Sequence, residues 1–196
     1  MIDFEQLNLP RVLQGITSTT EDLELTMGDE LRFGSLLRTL AAAAAGGRLL
    51  QFGAGSGILT AWLLDGMAKD ASLVSLESDA ELAGVARRFL GRDPRLQIRD
   101  GPSETALAAL EPGFDLVVAS TPLDLDGRLH EALQLLAPGG LFVVGGVAEQ
   151  DDWTAAERGA AQSLVSRLEV QGGVHLTALD WSSGVLLASH SHKASG

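Results

Sequence analysis

Short apolar runs alternate with helix-length segments five times along this chain, and that rhythm leaves few folds open. Residues 49–52, 73–76, 96–98, 114–119 and 141–147 are continuously apolar or nearly so, as strands covered on both faces must be. Residues 58–67, 80–90, 103–110, 127–136 and about 154–168 carry the helices that follow each strand. Pro138-Gly139-Gly140 is expected to end the fourth of these helices. Ahead of the first strand, Leu31, Phe33, Leu36, Leu37 and Leu40 recur at roughly helical spacing. This predicts a helix over 29–45, stopped by Gly46-Gly47, while residues 1–26 predict one or two helices that pack on or cover something. After the fifth helix the alternation breaks. Strands 174–179 and 185–190 are joined by Asp180-Trp181-Ser182-Ser183-Gly184, too short for a helical crossover, so they must pair antiparallel. The expected fold is α/β: a Rossmann-like, doubly wound, seven-stranded sheet, mostly parallel, with an antiparallel C-terminal hairpin and helices on both faces.

The first strand runs straight into Gly53-Ala54-Gly55-Ser56-Gly57 and then a helix. Glycines there let the chain turn tightly and let a ligand approach the main chain, with the helix N-terminus behind offering N–H groups and partial positive charge. In doubly wound sheets ligands bind beyond the carboxyl ends of the strands, at such a crossover. The loop reads G-x-G-x-G, with Ile58 where a dinucleotide fingerprint would place its third glycine. About 20 residues on, Glu77 ends the second strand, where a carboxylate accepts both hydroxyls of a ribose. A solvated strand end is the bland alternative. Asp79 reads as the cap of the helix at Ala80 and as the reserve carboxylate.

Composition removes several function classes. The chain has no cysteine, so disulfides, thiolate metal sites and cysteine nucleophiles are excluded, in keeping with a cytoplasmic protein. Fourteen basic residues against 26 acidic ones give a net charge of −12, which disfavours nucleic acid and anionic membranes as partners. The N-terminal Met1-Ile2-Asp3-Phe4-Glu5 has no basic n-region, and the weakly polar stretch 36–52 is interrupted by Arg38, Gly46, Gly47 and Arg48. Neither a signal peptide nor a membrane span is expected.

The run 49–57 with Glu77 after it resembles the first two motifs of class I S-adenosylmethionine-dependent methyltransferases. Further pieces resemble the catechol-O-methyltransferase-like O-methyltransferases: Phe33-Gly34-Ser35-Leu36-Leu37, Asp100-Gly101-Pro102-Ser103-Glu104 with Leu107 and Leu110, Phe114-Asp115-Leu116-Val117-Val118, Leu136-Ala137-Pro138-Gly139-Gly140-Leu141 and Trp181-Ser182-Ser183-Gly184-Val185-Leu186. The likeness covers about residues 27–190. It implies one methyltransferase-like domain over 1–196, made of an N-terminal helical segment (1–45), a Rossmann-like core (46–190) and a disordered tail (191–196). It also implies S-adenosylmethionine as cofactor and a small-molecule methyl acceptor, oxygen before nitrogen, with a homodimer as the family's frequent assembly. Met27, Phe52, Gly53, Ala54, Gly55, Gly57, Glu77, Ser78, Gly101, Pro102 and Ser103 would bind the cofactor. Gly53, Gly55 and Gly57 would pass its methionine part, Glu77 would hold the ribose, and Ser103 would border the adenine. Ser103 also reads as a plain N-cap, and Met27 as core filler.

The likeness fails at the metal. Where the family carries an Asp at the end of its fourth strand and Asp-Asn at the end of its fifth, this chain has Ser120 and Gly145-Gly146. The family's lysine position is Leu123. Glycine cannot replace a carboxylate for a hard cation, so no catalytic metal is expected. Asp124, Asp126, Glu149, Asp151 and Asp152 do not restore the pattern and read as solvated loop acids. His130, His175, His190 and His192 offer no placed base, and the catalytic residue stays unassigned. Ser120 and Thr121 are the polar groups best placed to touch a substrate, with a polar turn into Pro122 as the alternative. Two other functions stay open: a non-catalytic domain binding S-adenosylmethionine or S-adenosylhomocysteine, and an NAD(P)-dependent oxidoreductase. The G-x-G-x-G spacing and the absence of tyrosine weigh against the latter.

Overall fold

Consecutive side chains of a strand point to opposite faces, so an unbroken apolar run needs a cover on each side. The structure, a computed structural model describing residues 8–22, 30–101, 103–125, 127–151 and 153–190, supplies both covers. Strands β1 (Arg48–Phe52), β2 (Ser72–Glu77), β3 (Leu96–Asp100), β4 (Phe114–Ala119) and β5 (Leu136–Val144) are joined in parallel. Strands β6 (Val174–Leu179) and β7 (Val185–His190) form the antiparallel hairpin. β7 inserts between β5 and β6, giving the order β3-β2-β1-β4-β5-β7-β6. The expected seven-stranded sheet is the observed one.

The two faces hold separate cores. Leu49, Leu73, Leu116, Val118 and Val143 pack under α1 (Leu13–Asp22), α2 (Glu30–Ala43), α3 (Ile58–Gly66) and the end of α4 (Ala80–Leu90). Leu50, Phe52, Leu76, Val117, Phe142 and Val144 pack under α5 (Ser103–Ala108), α6 (Leu129–Gln134) and α7 (Ala155–Val170). Helix α2 lies so close on α3 that a Cβ at Gly34 would fall 2.3 Å from the Trp62 ring. Of the expected segment 1–45, the structure describes α1 and α2. The expected tail, 191–196, lies outside the described residues.

Two expectations need correction. The helix expected over 127–136 is only α6, and Pro138-Gly139-Gly140 does not end it, because these residues belong to β5. The carbonyl of Leu135 accepts the amides of Gly113 and Phe114, which commits the chain to the sheet before the proline is reached. Pairing then jumps from Phe114↔Leu136 to Leu116↔Leu141. That irregularity accommodates Pro138, which has no N–H to donate to a ladder. At its other end β5 stops at Val144 rather than 147. Gly145 still donates to Ala119, but Gly146 turns off at φ 59° and Val147 and Ala148 bond to the turn before β7.

On either side of β1 the crossovers lead to opposite faces, so the carboxyl ends of β1 and β4 open a cleft at the switch point.

Candidate cofactor site

The glycine loop occupies that cleft, and its three glycines meet three different neighbours. Gly53 has φ 69°, and a Cβ on it would lie 2.3 Å from Cγ of Asp124. Gly55 has φ 55°, and a Cβ there would have nothing within 4 Å, so its α-carbon borders open space. Gly57, φ 100°, sits against Ala86 and Leu90 of α4 and lets helix and loop meet. Among the three, Gly55 presents the free main-chain surface on which a ligand can lie.

Glu77 faces this loop and is almost fully buried at 8% exposure. Its Oε2 accepts the Gly55 amide at 2.6 Å and its Oε1 the Asp79 amide at 2.9 Å. A carboxylate has about four lone-pair sites, so each oxygen keeps capacity for a further donor. The neighbouring turns are tied to the same strand end: Ala54 donates to the Leu76 carbonyl, and Gly101, φ 105°, to that of Glu77. Gly101, too, has nothing within 4 Å of an added Cβ. Asp79 caps α4, accepting from Glu81 and Leu82.

Under the loop lies a polar cluster that sequence reading passed over. Gln51 is fully buried in β1, and its Oε1 accepts from Thr60 Oγ1 and Ser75 Oγ, both at 2.7 Å. Thr60 and Ser75 are fully buried as well. The visible signal was a single polar residue in each of two apolar strands. A buried amide is retained only when it is satisfied, and this one ties β1, β2 and α3 together beneath Gly53.

The other expected residues fall as follows. Ala54 is buried at the start of the loop, and Phe52 has its side chain in the core below it. Ser78 is exposed just past β2. Ser103 opens α5, but its side chain is outside the description, as are Met27 and Pro102 altogether. Ser120 donates from Oγ to the Gly53 carbonyl at 3.0 Å, and the Thr121 amide donates to Asp124 Oδ2 at 2.7 Å. His130 and His175 are exposed; the His190 side chain and His192 lie outside the description.

Asp124 was read as a solvated acid, and the structure corrects that. The 3-10 turn Pro122–Leu125 folds it back so that its carboxylate covers Gly53. Burial pushes its carboxyl up to about 6, with the nearby charge of Glu77 adding to the rise against the amides that hold it. Glu149, by contrast, is exposed and paired with Arg158 at 2.6 Å.

The positions where a metal would be held do not fit one. The Ser120 hydroxyl is engaged by the Gly53 carbonyl. A Cβ on Gly145 would lie 2.7 Å from the Phe33 ring and 2.8 Å from the Ser120 carbonyl, leaving no room for a ligating side chain. Among the described residues no group of three or more histidines or carboxylates is placed to hold an ion.

No family model matches the chain. In sequence it is similar to the "Putative O-methyltransferase" of Mycolicibacterium vanbaalenii, 30% identical over 146 residues, covering 67% of this chain and 65% of that one. It spans about half the length of most mycobacterial relatives that it matches, such as that of Mycobacterium avium. In structure it is similar to the cofactor-bound Rv0187 from MTB, with TM-score 0.80, 25% identity and coverage of 96% and 93% of the two chains. It also shares the fold of the Bacillus cereus O-methyltransferase in complex with SAH, with TM-score 0.82, 20% identity and coverage of 95% and 93%.

Proposed function

We propose that this chain, a relative of the O-methyltransferases in sequence and in fold, transfers a methyl group from S-adenosylmethionine to a small-molecule acceptor without a catalytic metal. The observation that carries the reading is an open glycine, Gly55, hydrogen-bonded through its amide to the buried carboxylate of Glu77. The S-adenosylhomocysteine in the similarly folded Bacillus cereus enzyme supports the ligand class.

When bound, S-adenosylmethionine supplies an activated methyl on sulfur. The residues of this chain bind and orient around it. Glu77 takes the ribose hydroxyls on the lone pairs left by the Gly55 and Asp79 amides. Gly101, open on its α-carbon side, borders the base. The Gln51 cluster and the Ser120–Gly53 bond hold the loop so that little ordering remains to be done on binding. Because methyl transfer is an in-line displacement, such positioning is itself a large part of catalysis. Ser120 and Thr121 are the polar groups at the end of β4 that border the acceptor side, and oxygen is the favoured acceptor atom. We place the protein in the cytoplasm; among the described residues no helix is long and apolar enough to cross a membrane.

One observation favours a second reading, a domain that binds the cofactor without turnover. Position 123 is an exposed leucine, 44% accessible, and supplies no base. Incubation with S-adenosylmethionine and a panel of phenols, catechols, carboxylates and amines distinguishes the two. Formation of S-adenosylhomocysteine dependent on one acceptor is the expected result. Tight cofactor binding with no product from any acceptor would leave the binding domain.

A further inference from the structure

Among the described carboxylates of the cleft Asp124 is the one that burial pushes up, and neither fold nor motif gives it a role. Its carboxylate lies where the side chain of residue 53 would be, two positions before the open α-carbon of Gly55 in the same loop. Thr121 holds Oδ2 through its amide. Glu77 is close enough for its charge to act on Asp124. Among the described residues no Lys, Arg or His forms an ion pair with Asp124. Among the described residues, two carboxylates thus flank one glycine loop with no ion pair between Asp124 and a basic side chain. Like charges held together in a buried site each cost free energy unless a positive group joins them.

We propose that Asp124 is a cofactor-binding residue of this chain, accepting the α-ammonium of the ligand's amino-acid end beside Gly53. The inference rests on the reading of the cleft as an S-adenosylmethionine site. An ammonium fits better than the sulfonium, because it brings N–H donors to a carboxylate that can accept them, whereas sulfur brings charge alone. The division of labour follows: Glu77 takes the neutral diol and Asp124 the cation. A carboxyl pushed up to about 6 by burial is also what an anionic subsite awaiting its counter-charge shows.

The test is a cycle between residue and ligand, read by calorimetric titration at pH 7.5. Wild-type protein and Asp124→Asn are each titrated with S-adenosylhomocysteine and with its des-amino analogue, in which hydrogen replaces the amino group. Asparagine keeps an oxygen for the Thr121 amide, so the turn is retained. The wild type is expected to bind the amino compound at least tenfold more tightly than the analogue, and Asp124→Asn to bind both within about twofold of each other. Discrimination surviving in Asp124→Asn would overturn the inference while leaving the cofactor reading intact. So would equal binding of both ligands by the wild type, which needs no variant to fold. Wild-type protein binding neither ligand would remove the cofactor reading and this assignment with it.

Discussion

At the residue scale, the loop glycines and the two carboxylates carry different demands, and substitutions separate them. Gly53→Ala adds a methyl at φ 69° where the Asp124 carboxylate already sits. Strain and displacement together should cost about 1–3 kcal/mol, read as a lower Tm together with weakened cofactor binding. Glu77→Ala should weaken S-adenosylmethionine binding at least tenfold, about 1.4 kcal/mol, in calorimetric titration. Asp124 also predicts an unusual pH dependence. Its carboxyl is raised from 3.8 to about 6, so between about pH 4 and 6 the native protein holds a proton that the unfolded chain has released. Stability from this group therefore falls as pH rises through that window, by up to about 3 kcal/mol. Asp93, held low first by its hydrogen bond with Arg95, acts in the opposite sense below about pH 4. Comparing Tm across pH 4–7 in wild type and Asp124→Asn isolates the first effect: the variant should lose the decline and be the more stable ligand-free protein at pH 7. A variant less stable than wild type at pH 7 would show that Asp124 serves the fold. Glu77 was legible in the sequence because it ends an apolar strand at a set distance from a glycine loop. Asp124 was not, because only the 3-10 turn after β4 brings it back over Gly53, and Pro-Leu-Asp-Leu carries no periodicity to announce that turn.

At the element scale, legibility followed local signals. Asp79 was read as a cap from its place before Ala80, and it caps α4. Asp79→Ala should cost about 1 kcal/mol, measurable by denaturant titration. The amide of residue 79 would still reach Glu77, so that loss belongs to α4 and not to the ribose site. Strands β1, β2, β4 and the second half of β5 were legible as apolar runs, and their burial on both faces is what such runs require, while the edge strands β3 and β6 stay largely accessible. The failure at α6 and β5 has a physical origin: Pro138 reads as a helix stop, but the Leu135 carbonyl is already taken by the amides of Gly113 and Phe114 at the start of β4. Such tertiary capture leaves no mark on neighbouring residues. The Gln51 cluster was missed for a similar reason, since its three members come from β1, α3 and β2 and meet only when the sheet closes.

At the scale of the whole molecule, the antiparallel pairing of β6 and β7 follows from a connection too short for a helical crossover, whereas the insertion of β7 beside β5 has no signal in that connection; the switch point beside β1 follows from the strand order. The same order places Gly55, Glu77, Gly101 and Asp124 around one cleft although they are spread over seventy positions of chain. What the global fold leaves open is the acceptor, because Ser120 and Thr121 are generic polar groups, the Ser120 hydroxyl is bonded to Gly53 and Gly145 is packed against Phe33. A crystal structure with bound S-adenosylhomocysteine measures the central claim directly. The account predicts both ribose hydroxyls within hydrogen-bond distance of the Glu77 carboxylate and the amino-acid end of the ligand running over Gly55. A nucleoside bound away from the carboxyl ends of β1 and β2, or a Glu77 carboxylate with no contact to the ribose, would contradict it.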